Sequence, residues 1–418
     1  MNSDILPPGW KKIKRAPKPV AAVAAPEAPA PDLDMPLPEI NIDLPKNPKP
    51  KHKTVFARFM NFKPREHWYN LNRTEKIMTA AGILLVVAGL ATAIYLLLIR
   101  QPATPVEHRV VVKAAPKPTT VAAPLTGLQV DPSLVKRPVT AIMIENSLDA
   151  RPQSGLQDAG IVYEAIAEGG ITRFSAIFQD TQPQYIGPVR SLRPYYIDFF
   201  TPFDAAIAHV GGSPEALDQI RSGGKDLDQF FNAGSYWRQA TRDAPHNVYT
   251  SFEKLDNLNL SKGYISSSPK TWPRKKDSPL KVPAAKSIDL DISSGDFNIH
   301  YDYDAATNSY MRFEGGKPHL VSTTADNATA AQVHPKVVIA PIMSYGIESD
   351  GKHSQYGTTG SGPVYVFQDG GVTQGTWSKA DRASQFVFKD TAGKDIPLTA
   401  GQTWVTALSD TGQVHYAP

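Results

Sequence analysis

The hydrophobic residues of the chain are concentrated first in one uninterrupted stretch, Ile77 to Ile99, which carries no charged side chain. An α-helix rises about 1.5 Å per residue and the hydrocarbon core of a bilayer is roughly 30 Å thick, so a helix of this length can cross a membrane. The apolar core of a cleaved signal peptide is shorter and lies closer to the N-terminus. The pattern therefore predicts a retained transmembrane helix over residues 77–99.

Lysine and arginine are distributed unequally around this stretch. Eight of them lie between Lys49 and Lys76, but only four lie between Arg100 and Lys117. These residues accumulate on the cytoplasmic side of membrane helices. We therefore expect a single-pass protein of the plasma membrane, with its N-terminus in the cytoplasm and its C-terminal part outside.

Two segments next to the apolar stretch lack the periodicity of a folded domain. Residues 1–76 are rich in Pro and Ala with alternating basic and acidic blocks, and residues 100–124 have a similar composition. Such segments bury too little apolar surface to offset the loss of chain entropy. We expect the first to be a disordered cytoplasmic arm that could contact protein partners, and the second to be a spacer.

Strand and helix signals alternate in the next part of the chain, residues 125–270. Short apolar runs at Pro138–Asn146 and Phe203–Val210 are typical of buried strands. The segment Ser213–Gly224 begins with a capping serine followed by proline and ends with glycine, as helices do. This region is therefore predicted to be an α/β domain.

The remaining residues show mainly strand signals. A polar segment rich in Pro and Lys over residues 271–286 predicts a linker. Apolar runs separated by turn residues then predict a mainly β domain over residues 287–418. The predicted order is an arm, a transmembrane helix, a spacer and two outer domains.

A β-hairpin is predicted within Ile161–Phe178, where Gly169 and Gly170 form a two-residue turn between two alternating runs. Pairing outward from the turn places these residues opposite each other: Glu168 and Ile171, Ala167 and Thr172, Ile166 and Arg173, Glu164 and Ser175. With a period of two, Glu164 and Glu168 share a face with Arg173. Both carboxylates are therefore expected to orient this arginine.

Arginines recur around this hairpin, most notably in the apolar stretch YIGPVRSLRPYY. A guanidinium group suits a phosphate or carboxylate that is held by two hydrogen bonds. The arginines predicted to line an anion-binding cleft are Arg151, Arg173, Arg190, Arg193 and Arg242. An internal carboxylate such as Glu164 or Glu168 would satisfy the arginines equally well.

The segment AHVGGSPEAL adds a second type of anion donor. It predicts a strand, a turn at Gly211 and Gly212, and a helix that begins at Ser213. The first backbone N–H groups of a helix have no partner inside the helix and can bind an anion. These three residues are therefore included in the predicted ligand site.

Sequence signatures of the common hydrolases are missing. The segment GGSPE has Glu215 where a nucleophile elbow needs glycine, and the ten histidines show no metal-ligand spacing, so no metal site is predicted. Residues that could act as an acid or a base are Glu145, Asp158, Glu164, His209 and His246. For His209 and His246 the alternative is a structural role, and catalysis is left undecided.

Composition narrows the classes of function. A net charge of +4, concentrated before the apolar stretch, gives no basis for nucleic-acid binding. The absence of cysteine excludes disulfides and a lipid-modified cysteine. It is compatible with either side of the membrane, because the outer part is long enough to form a core without covalent cross-links.

Five motifs, in this order, resemble the YerB-like family of bacterial extracytoplasmic proteins: RPVTAIMIEN, ARPQSGLQDAGIVYEAIAEGGITRFSAIF, IGPVRSLRPYY, HVGGSPEAL and RDAPHNVY. TWSK and GQTWV resemble the C-terminal part of that family. The resemblance covers about Leu125 to Pro418 and implies an envelope protein of two domains whose function is unknown. Family members are often lipoproteins, and this chain departs from that pattern because it has no cysteine.

The layout is also similar to that of the LytR-CpsA-Psr phosphotransferases, which have one membrane helix and an outer α/β domain. This resemblance implies arginines that bind a polyprenyl pyrophosphate and acidic residues that hold Mg²⁺. The chain departs from the family motif because Ser191 follows Arg190 where an aspartate is expected.

Three functions remain open. The leading one is an envelope protein that binds an anionic cell-wall or lipid-linked ligand through its arginines, without a cofactor. The second is an enzyme acting on a phosphate-containing glycan or lipid-linked substrate, which would need Mg²⁺ if it follows the phosphotransferase pattern. The third is a structural scaffold that binds other proteins.

Overall fold

The computed structural model describes residues 68–69, 71–99, 119–324 and 330–418. Most of the predicted arm, and residues 100–118 of the predicted spacer, lie outside the described residues. The chain divides into two compact units, Met1–Val111 and Val112–Pro418, and each is described by itself.

The first unit contains helix α1, Arg73–Ile99. Asn72 and Glu75 form a capping box at its start, in which each backbone N–H donates to the side chain of the other at 2.9 Å. The helix buries no residue, and its most apolar window has a mean hydropathy of 2.6, enough in length and composition to cross a membrane. A helix over the predicted stretch is confirmed, whereas its single-pass orientation stays a prediction.

The first part of the second unit contains three short helices and ten strands. The helices are α2 (Pro194–Phe200), α3 (Pro214–Arg221) and α4 (Phe252–Ser261). The strands are β1 (Val121–Ala122), β2 (Gln129–Val130), β3 (Thr140–Glu145), β4 (Ile161–Glu168), β5 (Ile171–Phe178), β6 (Ala206–His209), β7 (Asp226–Asp228), β8 (Trp237–Arg238), β9 (Val248–Tyr249) and β10 (Arg274–Lys275). The two predicted buried strands and the predicted helix after Ser213 are present. The α/β class of this region stays a prediction.

The rest of the unit is almost entirely β. Its strands are β11 (Ser287–Leu290), β12 (Ile299–Asp304), β13 (Ser309–Glu314), β14 (Lys317–Pro318), β15 (Leu320–Ser322), β16 (Ala330–Gln332), β17 (Val337–Pro341), β18 (Tyr345–Ile347), β19 (Ser354–Tyr356), β20 (Gly360–Gln368), β21 (Gly371–Lys379), β22 (Val387–Asp390), β23 (Leu398–Thr399), β24 (Thr403–Thr406) and β25 (Val414–Ala417). The mainly β character predicted for this region is confirmed.

A ten-stranded mixed sheet forms the centre of the second unit, in the order β22-β21-β20-β17-β24-β4-β5-β3-β6-β7. β24 lies between β17 and β4 and is parallel to both, with Trp404 opposite Val338 on one side and Val162 on the other. Strands from both predicted outer domains therefore belong to one sheet. A five-stranded antiparallel sheet, β14-β13-β12-β11-β25, lies in the same unit.

Apolar side chains form two clusters around the central sheet. One contains Tyr163 and Tyr196 together with Tyr301 from the later strands, and the other contains Phe174 with Trp404. The predicted linker also contributes to this packing. Trp272 is buried, and its indole N–H donates to the carbonyl oxygen of Phe386 at 2.8 Å. The boundary between the two predicted domains is thus part of a shared core.

The β4–β5 hairpin has the predicted turn, but the strand pairing away from the turn differs from the predicted register. Glu168 pairs with Ile171 as predicted. A β-bulge at Ala167 then shifts the ladder by one residue, which gives the pairs Ile166 with Thr172, Ala165 with Arg173, and Glu164 with Phe174. The predicted pairs Ala167 with Thr172, Ile166 with Arg173, and Glu164 with Ser175 are therefore wrong.

Candidate functional site

Most of the residues singled out from the sequence lie at one end of the central sheet. β3 ends at Glu145, which pairs with Arg173 at the start of β5. The Arg190 backbone N–H donates to the carbonyl oxygen of Met143 at 2.9 Å, so the YIGPVR segment runs along the end of β3. β6, parallel to β3, ends nearby at His209. Open sheets commonly bind ligands at such strand ends.

The two arginines of the YIGPVRSLRPYY stretch each meet an internal carboxylate. Arg190 Nε lies 3.1 Å from Glu145 Oε1. Arg193 Nε donates to Glu168 Oε2 at 3.0 Å, and its Nη1 donates to the carbonyl oxygen of Leu192 at 2.7 Å. Arg193 is therefore held internally, whereas no atom of the described residues accepts a hydrogen bond from the terminal nitrogens of Arg190.

Glu168 also holds the hairpin arginine. Arg173 Nη2 donates to Glu168 Oε1 at 3.0 Å, and Arg173 Nη1 donates to the Ser191 carbonyl oxygen at 2.9 Å. Burial acts to raise the pKa of Glu168, but the guanidinium groups of Arg173 and Arg193 outweigh it and hold that pKa below its ordinary value. The expected contact between Glu168 and Arg173 is present in the structure.

Glu164 lies on the opposite face of the hairpin because of the bulge. It accepts a hydrogen bond from the Thr172 hydroxyl at 2.9 Å, whereas the next residue, Arg173, points to the Glu168 side. The structure therefore does not place Glu164 beside Arg173. One inserted residue separates two carboxylates that a regular strand would have brought together.

Glu164 belongs to a buried ion pair that could not be inferred from the sequence. Arg312 on β13 donates from Nη2 to Glu164 Oε2 at 3.0 Å, and both side chains are fully buried. Arg312 also donates to the Tyr301 hydroxyl at 3.0 Å and to His319 Nδ1 at 2.8 Å. Its guanidinium carbon lies 4.5 Å from the ring centroid of Trp404, which adds a cation–π contact.

This network, which we call the Arg312 network, continues through a second carboxylate. Glu314 Oε1 lies 3.6 Å from Arg312 Nη2 and 3.3 Å from Arg151 Nη2, and it accepts a hydrogen bond from Asn146 at 2.5 Å. Arg151 also donates to the carbonyl oxygen of Asp296 at 3.1 Å. The predicted ligand residue Arg151 is thus tied to the buried pair.

A cleft of about 560 Å³ opens beside the Arg312 network. Its lining residues are Leu148, Arg151, Pro152, Glu314, Lys317, Pro318, His319 and Leu320. Binding pockets for small molecules typically measure about 300–1,000 Å³ and combine apolar walls with a few polar groups. We call this feature the Arg151 cleft.

Burial changes the charge states around the Arg151 cleft. It raises the pKa of Glu164 and of Glu314 above the ordinary glutamate value of 4.5, although Arg312 acts in the opposite direction on both. It also lowers the pKa of His319 well below 6.5, and nearby Arg312 adds to that effect. His319 is therefore neutral at physiological pH, and the positive charge of the region comes from its arginines and Lys317.

The raised pKa of Glu164 predicts a pH-dependent stability. A carboxyl group that binds its proton more tightly in the folded state stabilises the fold at low pH, and this contribution is lost as the pH rises above 4.5 through the folded-state pKa. Glu164→Gln should therefore gain stability relative to the wild type as the pH rises, measured by urea unfolding from pH 4 to 8. Glu253→Gln, an exposed change on α4, is the control, and a parallel gain in that variant would contradict the assignment.

A second polar cluster joins two of the predicted acid–base residues. His246 Nδ1 lies 2.9 Å from Glu145 Oε1, and the Ser147 hydroxyl lies 3.0 Å from the same oxygen. Asp149 Oδ2 lies 3.9 Å from His246 Nε2. A carboxylate on Nδ1 orients an imidazole and leaves Nε2 available for a proton.

The remaining sequence candidates have internal partners. His209 is buried and contacts Asp226 at 3.0 Å and the Gly211 carbonyl oxygen at 2.7 Å, while the Gly211 N–H donates to Asp228 at 3.0 Å. Ser213 caps α3 by accepting a hydrogen bond from the Ala216 N–H.

Three further candidates also have internal contacts. Gly212 packs closely on the Leu192 backbone, where an added Cβ would lie 3.1 Å from the carbonyl oxygen. Arg242 donates to the carbonyl oxygens of Asp149 and Pro152 at 2.9 and 2.7 Å. Asp158 accepts a hydrogen bond from Gln157 at 2.9 Å, and burial raises its pKa.

Among the described residues, one group has the spacing of metal ligands. Glu348, Asp350 and His353 lie around the β18–β19 turn with their ligand atoms within 4.8 Å of one another. Asp350 accepts hydrogen bonds from the backbone N–H groups of Lys352 and His353, which hold its pKa at about 2. These contacts account for the arrangement without an ion.

Three comparisons with known proteins bear on this chain. Residues 125–265 match the family model described as "Protein of unknown function (DUF3048) N-terminal domain", and residues 288–405 match the model of the DUF3048 C-terminal domain. A protein of Bacillus subtilis (strain 168) described as "Putative lipoprotein YerB" is 34% identical over 296 residues, which cover 69% of this chain and 86% of that protein. The crystal structure of YerB from Bacillus subtilis is similar with a TM-score of 0.64 and 29% identity, over 71% of this chain and 100% of the other. The predicted resemblance to the YerB-like family is confirmed.

Proposed function

The chain belongs to the DUF3048 family of two-domain proteins of unknown function, and we propose that it is a membrane-anchored protein of the cell envelope that binds an anionic envelope ligand in the Arg151 cleft. The proposal rests on one observation: residues of the Arg312 network also line this cleft. The cleft is large enough for a small-molecule ligand, and its charged lining residues Arg151 and Glu314 are held in place by their ion pair.

Membrane association is supported by two independent findings. Helix α1 is long and apolar enough to cross a bilayer, and the Bacillus subtilis relative is described as a "Putative lipoprotein". The excess of Lys and Arg before α1 favours a cytoplasmic N-terminus. In this proposal the second unit, Val112–Pro418, therefore lies outside the membrane.

The balance of charge around the cleft favours an anion. Of the described residues that line the cleft, Arg151 and Lys317 are cationic and Glu314 is acidic, and burial raises the pKa of that carboxyl. Behind them, the buried Arg312 and Glu164 pair with each other. Lys317 is exposed, and its ammonium group has no partner among the described residues. An ammonium group at the mouth of a partly apolar cleft can therefore pair with a carboxylate or phosphate of the ligand.

The test is a ligand screen on the isolated second unit by thermal unfolding, using cell-wall fragments, lipid-linked pyrophosphates and nucleotides. A ligand at about one hundred times its dissociation constant should stabilise the fold by roughly 2.7 kcal/mol, a shift of several degrees. We expect one class of probe to raise the midpoint of the wild type, and Lys317→Glu to remove that shift because it reverses the charge at the mouth.

Lys394→Glu is the matched control, because Lys394 is also an exposed lysine and does not line the cleft. It should respond to the probe as the wild type does. Absence of any shift in the wild type, or an equal loss in both variants, would contradict a ligand site in the Arg151 cleft.

The enzyme hypothesis is supported by one observation, the contact of Glu145 with His246 beside Arg190. The same screen repeated with Mg²⁺, with the probe recovered and analysed, separates a bound ligand from a consumed substrate. Arg190 is the arginine of the YIGPVRSLRPYY stretch whose terminal nitrogens could join such a reaction. Arg173 and Arg193 are engaged by Glu168, so any role in ligand binding would require them to exchange partners.

A further inference from the structure

Two large aliphatic side chains are exposed at the C-terminal end of α4. Leu260 is 68% exposed and Ile265 is 65% exposed. They flank a groove of about 320 Å³ whose lining includes Pro138 and Tyr264. We call this surface, with its neighbouring lysines Lys136 and Lys262, the α4 face.

The exposure of these aliphatic residues is not needed for packing α4. The helix already buries Phe252, Leu255 and Leu258 against the sheet. Leu260, near the end of α4, and Ile265, four residues beyond it, are largely exposed and are not part of the buried core. Single exposed aliphatic residues are common, whereas apolar residues that lie together on the surface can form an interaction site.

The charges of the α4 face complement an anionic surface. Lys136 and Lys262 are exposed, and neither ammonium group has a partner among the described residues. The acidic Asp256 in the groove is already paired with Arg137 at 2.8 Å. A second acid, Asp131, accepts hydrogen bonds from the Ser133 hydroxyl and N–H, and these bonds together with nearby Lys136 lower its pKa.

The chain enters the second unit near the α4 face. Val121 pairs with Val130, which is only six residues before Lys136, so the point of entry into the second unit lies within roughly 20 Å of the α4 face.

We propose that the α4 face contacts the anionic lipid surface to which α1 tethers the chain, with Leu260 and Ile265 entering the headgroup layer and Lys136 and Lys262 pairing with lipid phosphates. The proposal rests on membrane association but is independent of any ligand in the Arg151 cleft. Apolar side chains enter the interfacial layer of a bilayer and each nearby lysine adds attraction to anionic lipids, so the α4 face has both components of such a contact.

The test uses the second unit without α1, Val112–Pro418, which forms its own compact body. Its sedimentation is measured with vesicles of phosphatidylcholine alone and with vesicles that also contain phosphatidylglycerol. We expect binding to the mixed vesicles to weaken at least tenfold in Leu260→Ser/Ile265→Ser and in Lys136→Glu/Lys262→Glu. Asp131→Lys should strengthen it, because it adds a cation beside Lys136.

Leu280→Ser/Val282→Ser is the matched control, since both residues are exposed aliphatics outside the α4 face. It should bind as the wild type does. Equal loss in this control, equal binding to both vesicle types, or no binding to either would overturn the proposal. Binding that appears only after residues 112–118 are removed would overturn it too, by assigning the groove to the spacer. All substituted residues are exposed, so unchanged unfolding midpoints should accompany each result.

Discussion

Residues 119–270, expressed without the rest of the chain, are expected not to fold. In the structure β4 pairs with β24 on one side, and β24 comes from residues 403–406. The fragment would leave that edge of β4 unpaired and would remove Trp404 from Phe174, a pair whose ring centroids lie 5.5 Å apart. An unpaired strand edge favours aggregation, and a fragment that has lost part of its hydrophobic core is less able to fold.

The measurement is thermal and urea unfolding followed by circular dichroism. The intact second unit should show a cooperative transition, and the fragment should show none. Adding residues 271–418 as a separate chain should restore the transition, because it supplies β24 and β17. A cooperative transition in the isolated fragment would show instead that the DUF3048 N-terminal region is an independent domain.

Arg312→Ala is expected to be the most destabilising single substitution in the Arg312 network. It leaves Glu164 fully buried without its cation and removes the contact with the ring of Trp404. Removing one partner of a buried ion pair costs about 3–5 kcal/mol. In a unit of this size, that loss should lower the unfolding midpoint by roughly 10 °C.

Two variants identify the cause of that loss. Arg382→Ala removes a guanidinium that is 53% exposed and pairs with Asp198, so it should cost less than about 1 kcal/mol. Arg312→Met/Glu164→Gln removes both charges of the buried pair and should recover much of the stability, since no uncompensated charge remains. If the double variant unfolds as early as Arg312→Ala, the loss comes from packing and not from charge.

Local features of this fold could be predicted from local sequence. The Gly169–Gly170 turn, the helix that begins after Ser213 and the apolar helix α1 all depend on residues that are neighbours along the chain. The pairing of Glu168 with Ile171 was also correct, because it depends only on the turn. The bulge at Ala167 was not predictable, since a period-two pattern contains no signal for an extra residue.

The site depends on pairs that are distant along the chain, and the sequence could not reveal these. Arg312 and Glu164 are 148 residues apart, and no pattern around either one points to the other. The alternation of SYMRFE on β13 would even have misled, because its apolar residues Met311 and Phe313 suggest an inward face of their own. The structure instead buries the other face, which carries Arg312 and Glu314. Charged residues at such positions normally have partners, but the identity of the partners is a property of the fold.

The central place of β24 also has a consequence for the order of events during synthesis. β4 is made about 240 residues before β24, so at 5–20 residues per second its final neighbour appears roughly 10 to 50 seconds later. During that interval β4 lacks the strand with which it finally pairs, and pairings between strands so far apart in sequence form slowly. The chain is therefore expected to depend on chaperones that bind unfolded nascent segments. This dependence should be greater than in a two-domain protein whose N-terminal domain folds before the C-terminal domain is made.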